Sequence, residues 1–204
     1  MTRFWLAYID FHKAFVCLKN YSVFKYMMFI LSEDFMIKDI YERIWELARP
    51  YLKTRKNDIH TEISTDFAQQ LLAQEGGEED IVIPAIILHD VGWKKVPEDV
   101  QLKAFGPNAS MPEWNRVHEV EGARIAGDIL RKVNYPEDKI PEIQEIIKGH
   151  DSRKEPISHN DSVVKDADKL WRYTETAIRG IQMGFGLTYE RVLKDCAEIL
   201  NSGS

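Results

Sequence analysis

Apolar positions recur at helical spacing along most of this 204-residue chain. In MIKDIYERIWELARP the residues Ile37, Ile40, Ile44, Trp45 and Leu47 follow that spacing, and Pro50, which has no amide hydrogen, is expected to stop the run. Ile59, Ile63, Phe67, Leu71 and Leu72 form a second stripe that Gly76 and Gly77 should end, because glycine takes helix-terminating backbone angles at little cost. The third segment, EEDIVIPAIILHDVGW, opens with acids that suit a helix N-terminus and continues through an almost unbroken apolar run from Ile81 to Leu88. That run predicts a buried helix. A buried strand is the alternative for so many β-branched residues, but Pro84 in the middle could not donate to a central ladder. Further helices are predicted over 113–132, 136–149, 161–179 and 188–200, with Pro136 and Pro141 near one start. The expected fold class is all-α.

Residues 1–35 break the pattern, carrying 10 of the 22 aromatic residues. Asp10, His12, Lys13, Lys19 and Lys25 interrupt their apolar stretches, so none reaches the roughly 18 uncharged residues of a membrane span. The same charges do not fit the compact apolar block of a secretory signal. Three readings stay open: an extra aromatic helix packed on the domain or on a second copy, an interfacial membrane anchor, or a non-native extension ahead of a natural start at Met36. The expected organisation is a segment over 1–35 and one domain over 36–204, with a homodimer as the expectation that the aromatic segment raises.

Charge and cysteine content narrow the chemistry. Against 33 acids stand 27 Lys and Arg, a formal charge of -6, so no overall basic excess exists to hold a nucleic-acid backbone. Cys17 and Cys196 lie far apart without a CxxC partner, which excludes a disulfide framework and a thiolate zinc site and points to a reduced, cytoplasmic setting. Imidazoles and carboxylates remain. His89 and Asp90 end the most apolar segment, where a carboxylate is costly unless paired or bound to a metal. His60, His118 and His150 each precede a short polar break, and Asp168 lies in VVKDADKLW, where Val163, Val164, Ala167 and Leu170 press it inward. Such donors suit divalent Fe, Mn, Co, Ni or Zn better than Mg, and a set without thiolates tends to leave positions open for water and substrate.

The order His60, His89-Asp90, His118, His150, Asp168 resembles the HD superfamily of metal-dependent phosphohydrolases, over roughly residues 58–172. AIILHDVGW resembles that family's HD helix, VHEVEGARIAGDIL the segment of the third histidine, EIIKGHD the fourth, and VVKDADKLWR the closing aspartate helix. The resemblance implies an all-α HD-domain helical bundle with the metal site in its core. It implies that His60, His89, Asp90 and Asp168 hold one divalent ion, and that His118 and His150, with Asp90 bridging, hold a second where there is one. In motif style the bacterial diadenosine tetraphosphate hydrolases are closest, and the GYP triplet of another branch is missing. Two departures stand out. Where relatives carry a lysine after HD, this chain has Trp93, followed by Lys94 and Lys95. Asp151 directly after His150 reads equally as a further ligand, an acceptor orienting His150, a general base or a turn residue.

The activity so implied is hydrolysis of a nucleotide, or of another phosphate ester or anhydride, by metal-activated water. Asp90, Lys94 and Asp151 are the catalytic candidates, and Lys94, Lys95 and Arg153 the phosphate-binding ones, with Arg124 beside them. The expected partner is a small phosphate-bearing molecule. Two other classes fit the same ligands: a di-iron HD-type oxygenase and a non-catalytic nucleotide-binding module. Trp93, Trp114 and Trp171 read as core or as base-stacking groups, and His12 and His159-Asn160 as surface or turn residues.

Overall fold

The computed structural model describes residues 39–104 and 109–202, so the 1–35 segment, Met36, His12 and Cys17 lie outside the described residues. Helix α1 runs over 39–52. It is followed by α2 (Asn57–Glu75), α3 (Glu79–Leu88), a 3-10 turn (Val91–Lys95), α4 (Glu98–Ala104), α5 (Glu113–Lys132), α6 (Ile140–Ile147), α7 (His159–Leu170), a second 3-10 turn (Trp171–Tyr173), α8 (Glu175–Phe185) and α9 (Tyr189–Ser202). Among the described residues there is no strand. Nor is any helix among them long and apolar enough to cross a membrane.

Helix α3 is the axis. Ile81 to Leu88 are all buried, each such aliphatic side chain contributing roughly 1.5–3 kcal/mol. Around it, α2 packs on α3 and α7, α6 packs on α3 and α5, and the 91–95 turn lies against α5. Ile140, Ile143, Ile146 and Ile147 give α6 a fully enclosed face against this axis. Pro84 does not break α3, for a specific reason. Its missing N–H would orphan the carbonyl of Asp80 four residues back, and the Tyr135 hydroxyl donates to that oxygen at 2.6 Å.

Several boundaries differ from the sequence expectation. α1 continues past Pro50 to Leu52, which is wholly buried; Pro50 sits in the last turn, and Glu46, whose carbonyl it leaves without a helical donor, is exposed to water. Nothing in the pattern marked α4. The helix expected over 136–149 narrows to α6, with Pro141 in its first turn. The helix expected over 161–179 divides, because the Thr174 side chain accepts from the Ala177 amide and starts α8 afresh. The largest correction concerns α2. Its apolar stripe is not its innermost face: Ile59 is 41% exposed and Ile63, Phe67, Leu71 and Leu72 are half-buried. The buried face is Asn57, His60, Thr61, Ser64, Thr65 and Ala68. A mostly polar helix face turned inward needs a polar destination.

Candidate metal centre

Four histidines reach one region from different elements: His60 from α2, His89 from the end of α3, His118 from α5, and His150 from the turn after α6. All four are buried, as are Asp90 and Asp168. The atoms fall into two sets. In the first, His60 Nε2 lies 2.9 Å from His89 Nε2 and 3.1 Å from Asp168 Oδ1, which is itself 3.5 Å from His89 Nε2. In the second, His118 Nε2 and His150 Nε2 are 3.2 Å apart, and Asp151 Oδ2 lies 3.7 Å and 3.9 Å from them. Asp90 joins the two. Its Oδ2 faces His60 and His89 at 3.5 Å and 3.8 Å, while its Oδ1 faces His118 and His150 at 3.8 Å and 3.7 Å.

Hydrogen bonding fixes which nitrogen points inward. His89 Nδ1 lies 2.7 Å from the Ile86 carbonyl and His150 Nδ1 lies 2.7 Å from the Ile147 carbonyl. A carbonyl only accepts, so each Nδ1 carries a proton, and each ring, once its Nε2 is deprotonated as metal binding requires, turns that lone pair toward its neighbours. His118 has no such acceptor at Nδ1 among the described residues. The Trp93 ring holds its plane instead, stacked at 4.1 Å and 13°. The Trp93 indole N–H donates to Asp90 Oδ1 at 3.0 Å, and Trp171 meets His60 edge-on at 4.6 Å.

Lone pairs that face one another across about 3 Å in a buried site repel unless something electron-poor stands between them. A divalent ion fits. With metal–ligand bonds near 2.1 Å, neighbouring donors on one coordination sphere lie about 2.9–3.5 Å apart, close to the separations within each set. His60, His89 and Asp168, then His89, Asp90 and His150, and then His118, His150 and Asp151 each offer donors close enough together for one ion.

The protonation pattern without metal follows from burial and from these neighbours. Burial pushes the Asp90 carboxyl up, but the surrounding imidazoles, His89 foremost, outweigh it and hold Asp90 well below the usual carboxylate range. Asp168 is likewise held down against burial by hydrogen bonds from His60 and His89. Burial, reinforced by His150, lowers His118 to about 4. Burial would lower His150 too, yet its hydrogen bond to Asp90 and the charge of Asp151 raise it to about 10. Burial also opposes the charge on His89, and Asp90 and Asp168 more than compensate, raising it.

The six residues expected from the motif order, His60, His89, Asp90, His118, His150 and Asp168, therefore converge, and Asp151 joins them. Lys94 and Lys95 are exposed on the 3-10 turn that follows Asp90. Arg153 is engaged with Glu145 at 2.6 Å and Asp161 at 3.3 Å, and Arg124 with Glu121 and Asp128. Trp93 and Trp114 belong to a small apolar cluster with Val96, Val100 and Ala104. Asn160, expected at the surface, is buried: it accepts from the Glu78 amide and donates to Glu78 and Glu142.

Sequence reading missed four contributors. The Arg55 guanidinium lies over the Trp93 ring at 4.1 Å, and burial lowers its pKa while Asp90 and Asp151 oppose that shift. Its backbone is left-handed, as is that of Lys56, a conformation uncommon outside glycine that no residue type in the sequence announced. Gly92 sits where the turn meets the backbone of α5. Glu119 and Lys165 are buried charges that a pattern of alternating polarity assigns to the surface.

The family model of the HD domain matches residues 57–172, more than half of the chain. A crystal structure described as a predicted HD superfamily hydrolase from an uncultured Thermotogales bacterium is similar with a TM-score of 0.50 and 20% identity, over 77% of this chain and 91% of that one. At that identity the likeness concerns the fold alone. No curated protein matches.

Proposed function

The chain belongs to the HD domain family of metal-dependent phosphohydrolases, and from that premise we propose that it hydrolyses a small phosphate ester or anhydride, a nucleotide in the first instance, at a dinuclear centre. One observation carries the reading: the two oxygens of Asp90 face two different sets of His and Asp donors.

His60, His89 and Asp168 would hold one ion, His118, His150 and Asp151 the other, and Asp90 would bridge them. A bound divalent pair supplies acidified water and neutralises charge on a phosphoryl oxygen. The protein's own part is orientation. Asp90 and Asp168 remain ionised throughout the neutral range and keep the centre anionic enough to retain cations. The Ile86 and Ile147 carbonyls keep the His89 and His150 rings from rotating. Asp151 is 29% exposed at the side chain, so an oxygen of this carboxylate is accessible to take a proton from an attacking water. Lys94 and Lys95, exposed on the turn after Asp90, are the cations assigned to the substrate phosphates, with Arg55 adding positive potential beside Trp93. Residues 36–204 are assigned to the catalytic domain and 1–35 to an appendage.

The test pairs metal content with turnover. Protein purified without added metal should contain about two equivalents of Fe, Mn, Co, Ni or Zn per chain, and should release phosphate or nucleotide from nucleotides and dinucleoside polyphosphates under anaerobic conditions. Asp90→Ala should lose both metal and activity. Turnover that requires dioxygen would replace this reading with oxygenase chemistry, and tight nucleotide binding without turnover in any metal would replace it with a binding module.

A further inference from the structure

The two halves of the centre are built differently. His60, His89 and Asp168 sit on or at the very end of helices, where the backbone is fixed by its own hydrogen bonds; His89 keeps helical angles of -57° and -38°. His150 and Asp151 sit instead on a turn, past the end of α6. Backbone hydrogen bonds carry the chain from α6 as far as the His150 amide, and the next two amides, of Asp151 and Ser152, are bonded by a side chain instead.

Two buried charges grip the turn. Glu119, fully enclosed on α5, accepts from the Asp151 amide at 3.0 Å and the Ser152 amide at 2.8 Å through Oε1. Its Oε2 accepts from the Ser152 hydroxyl at 2.7 Å and from Arg116 at 2.8 Å, and Arg116 also donates to the Lys148 carbonyl. On the other side Lys165, buried on α7, donates to the carbonyls of Gly149 and His150 at 2.8 Å each and of Arg153 at 2.9 Å. All three ammonium protons are thereby used. Among the described residues no ion pair joins Glu119 to Lys165; each spends its charge on the peptide groups of the same few residues. Burying a carboxylate and an ammonium is costly, and that cost falls on a segment that delivers two candidate ligands from beyond the end of its helix.

We propose that Glu119 and Lys165 are positioning residues for the second ion alone, clamping the turn's amides and carbonyls so that His150 and Asp151 stay in place. This rests on the dinuclear reading above. Metal sites tolerate displacements of only about 0.2 Å, and loss of a group that orients a ligand weakens binding by about 10–100-fold. The clamp therefore sets how many ions the protein retains, one or two.

The experiment is a Mn(II) titration of the full-length chain against a competing chelator, with electron paramagnetic resonance to separate a coupled pair from an isolated ion. Wild-type protein should take up two ions as a coupled pair. Glu119→Gln and Lys165→Met should hold the first ion unchanged, bind the second about 10–100-fold more weakly, and show the isolated-ion spectrum. Lys165→Arg, which keeps donors and charge, should recover part of the loss. Ser152→Ala, at an exposed position, should shift the second affinity in the same direction by less, and decides the matter if the Glu119 variant does not fold. Variants that keep both affinities, or that weaken both ions alike, overturn the clamp while leaving the dinuclear reading in place. A wild-type protein that takes only one ion overturns both.

Discussion

Gly92→Ala should separate the 91–95 turn from α5 and damage the centre from a position that bears no functional group. A β-carbon at Gly92 would lie 1.8 Å from the His118 carbonyl oxygen, 2.5 Å from the Gly122 nitrogen and 2.8 Å from the His118 carbonyl carbon. All three are backbone atoms, so no side chain can swing aside. Ordinary contact begins at 3.4 Å, and the two elements must therefore part by about 1.6 Å. Overpacking of this kind costs about 1–3 kcal/mol when side chains yield, and a rigid helix places the cost at or above the upper end. For a domain of this size that is a fall of roughly 6–12 °C in melting temperature. The same shift carries His118 Nε2 away from Asp90 Oδ1, now 3.8 Å distant, by several times the roughly 0.2 Å within which metal–ligand distances hold. Gly122→Ala is the matched control. Its β-carbon would meet the His89 carbonyl at 3.3 Å and Ile147 Cγ2 at 3.4 Å, a small intrusion, and alanine inside a helix gains about 1 kcal/mol over glycine. Thermal unfolding of both variants with and without metal, together with metal counts, is the assay. A Gly92→Ala protein that melts with the wild type and retains the second ion would refute the reasoning, as would a Gly122→Ala protein destabilised just as much.

Two further outcomes follow from the same geometry. In metal-free protein the melting temperature should peak near pH 6.5: below it, down to about 4, the unfolded chain protonates His118 while the folded one does not, and above it, up to about 10, the folded chain keeps a proton on His150 that the unfolded one releases. Each limb is worth on the order of a few kcal/mol, and saturating metal should flatten the alkaline one because His150 gives up that proton to bind; a metal-free melting temperature that climbs from pH 6.5 to 9 would contradict this. Trp93→Phe should keep a ring over His118 but delete the indole donor to Asp90 Oδ1, costing about 1.5–3 kcal/mol and weakening metal binding, as melting and chelator competition would report.

Asp90 and Asp168 stood out because a carboxylate in apolar surroundings is costly, and the order of the histidines along the chain pointed to the other candidate donors. Helices α3 and α5 were legible for a similar reason: one is apolar without interruption, and the other keeps its expected bounds of 113–132. α2 was misjudged because hydrophobic periodicity finds the apolar face, whereas here His60 and its hydroxyl-bearing neighbours take the interior and leave Ile59 outside. Glu119, Lys165 and Asn160 were invisible for a deeper reason. Their partners are peptide groups or side chains far along the chain, and no local pattern announces that a charge will be satisfied by a turn folded onto it from elsewhere. The division at Thr174 depended on one cap, a signal too small to stand out between two amphipathic stretches.

His89 and His150 are presented by one device: each donates its Nδ1 proton to the carbonyl three residues back, and each is followed by an aspartate facing the centre. That makes the centre a counter of chain length. One residue inserted into α3 or α6 advances everything beyond it by about 1.5 Å and rotates it by about 100°, which would carry imidazole and carboxylate off the centre together. Insertions and deletions should be excluded from those two helices and from the turn after α6, even where composition is free to vary. Changes in length should collect instead where no ligand is registered to a helix end, in the stretch between α4 and α5 and beyond α7.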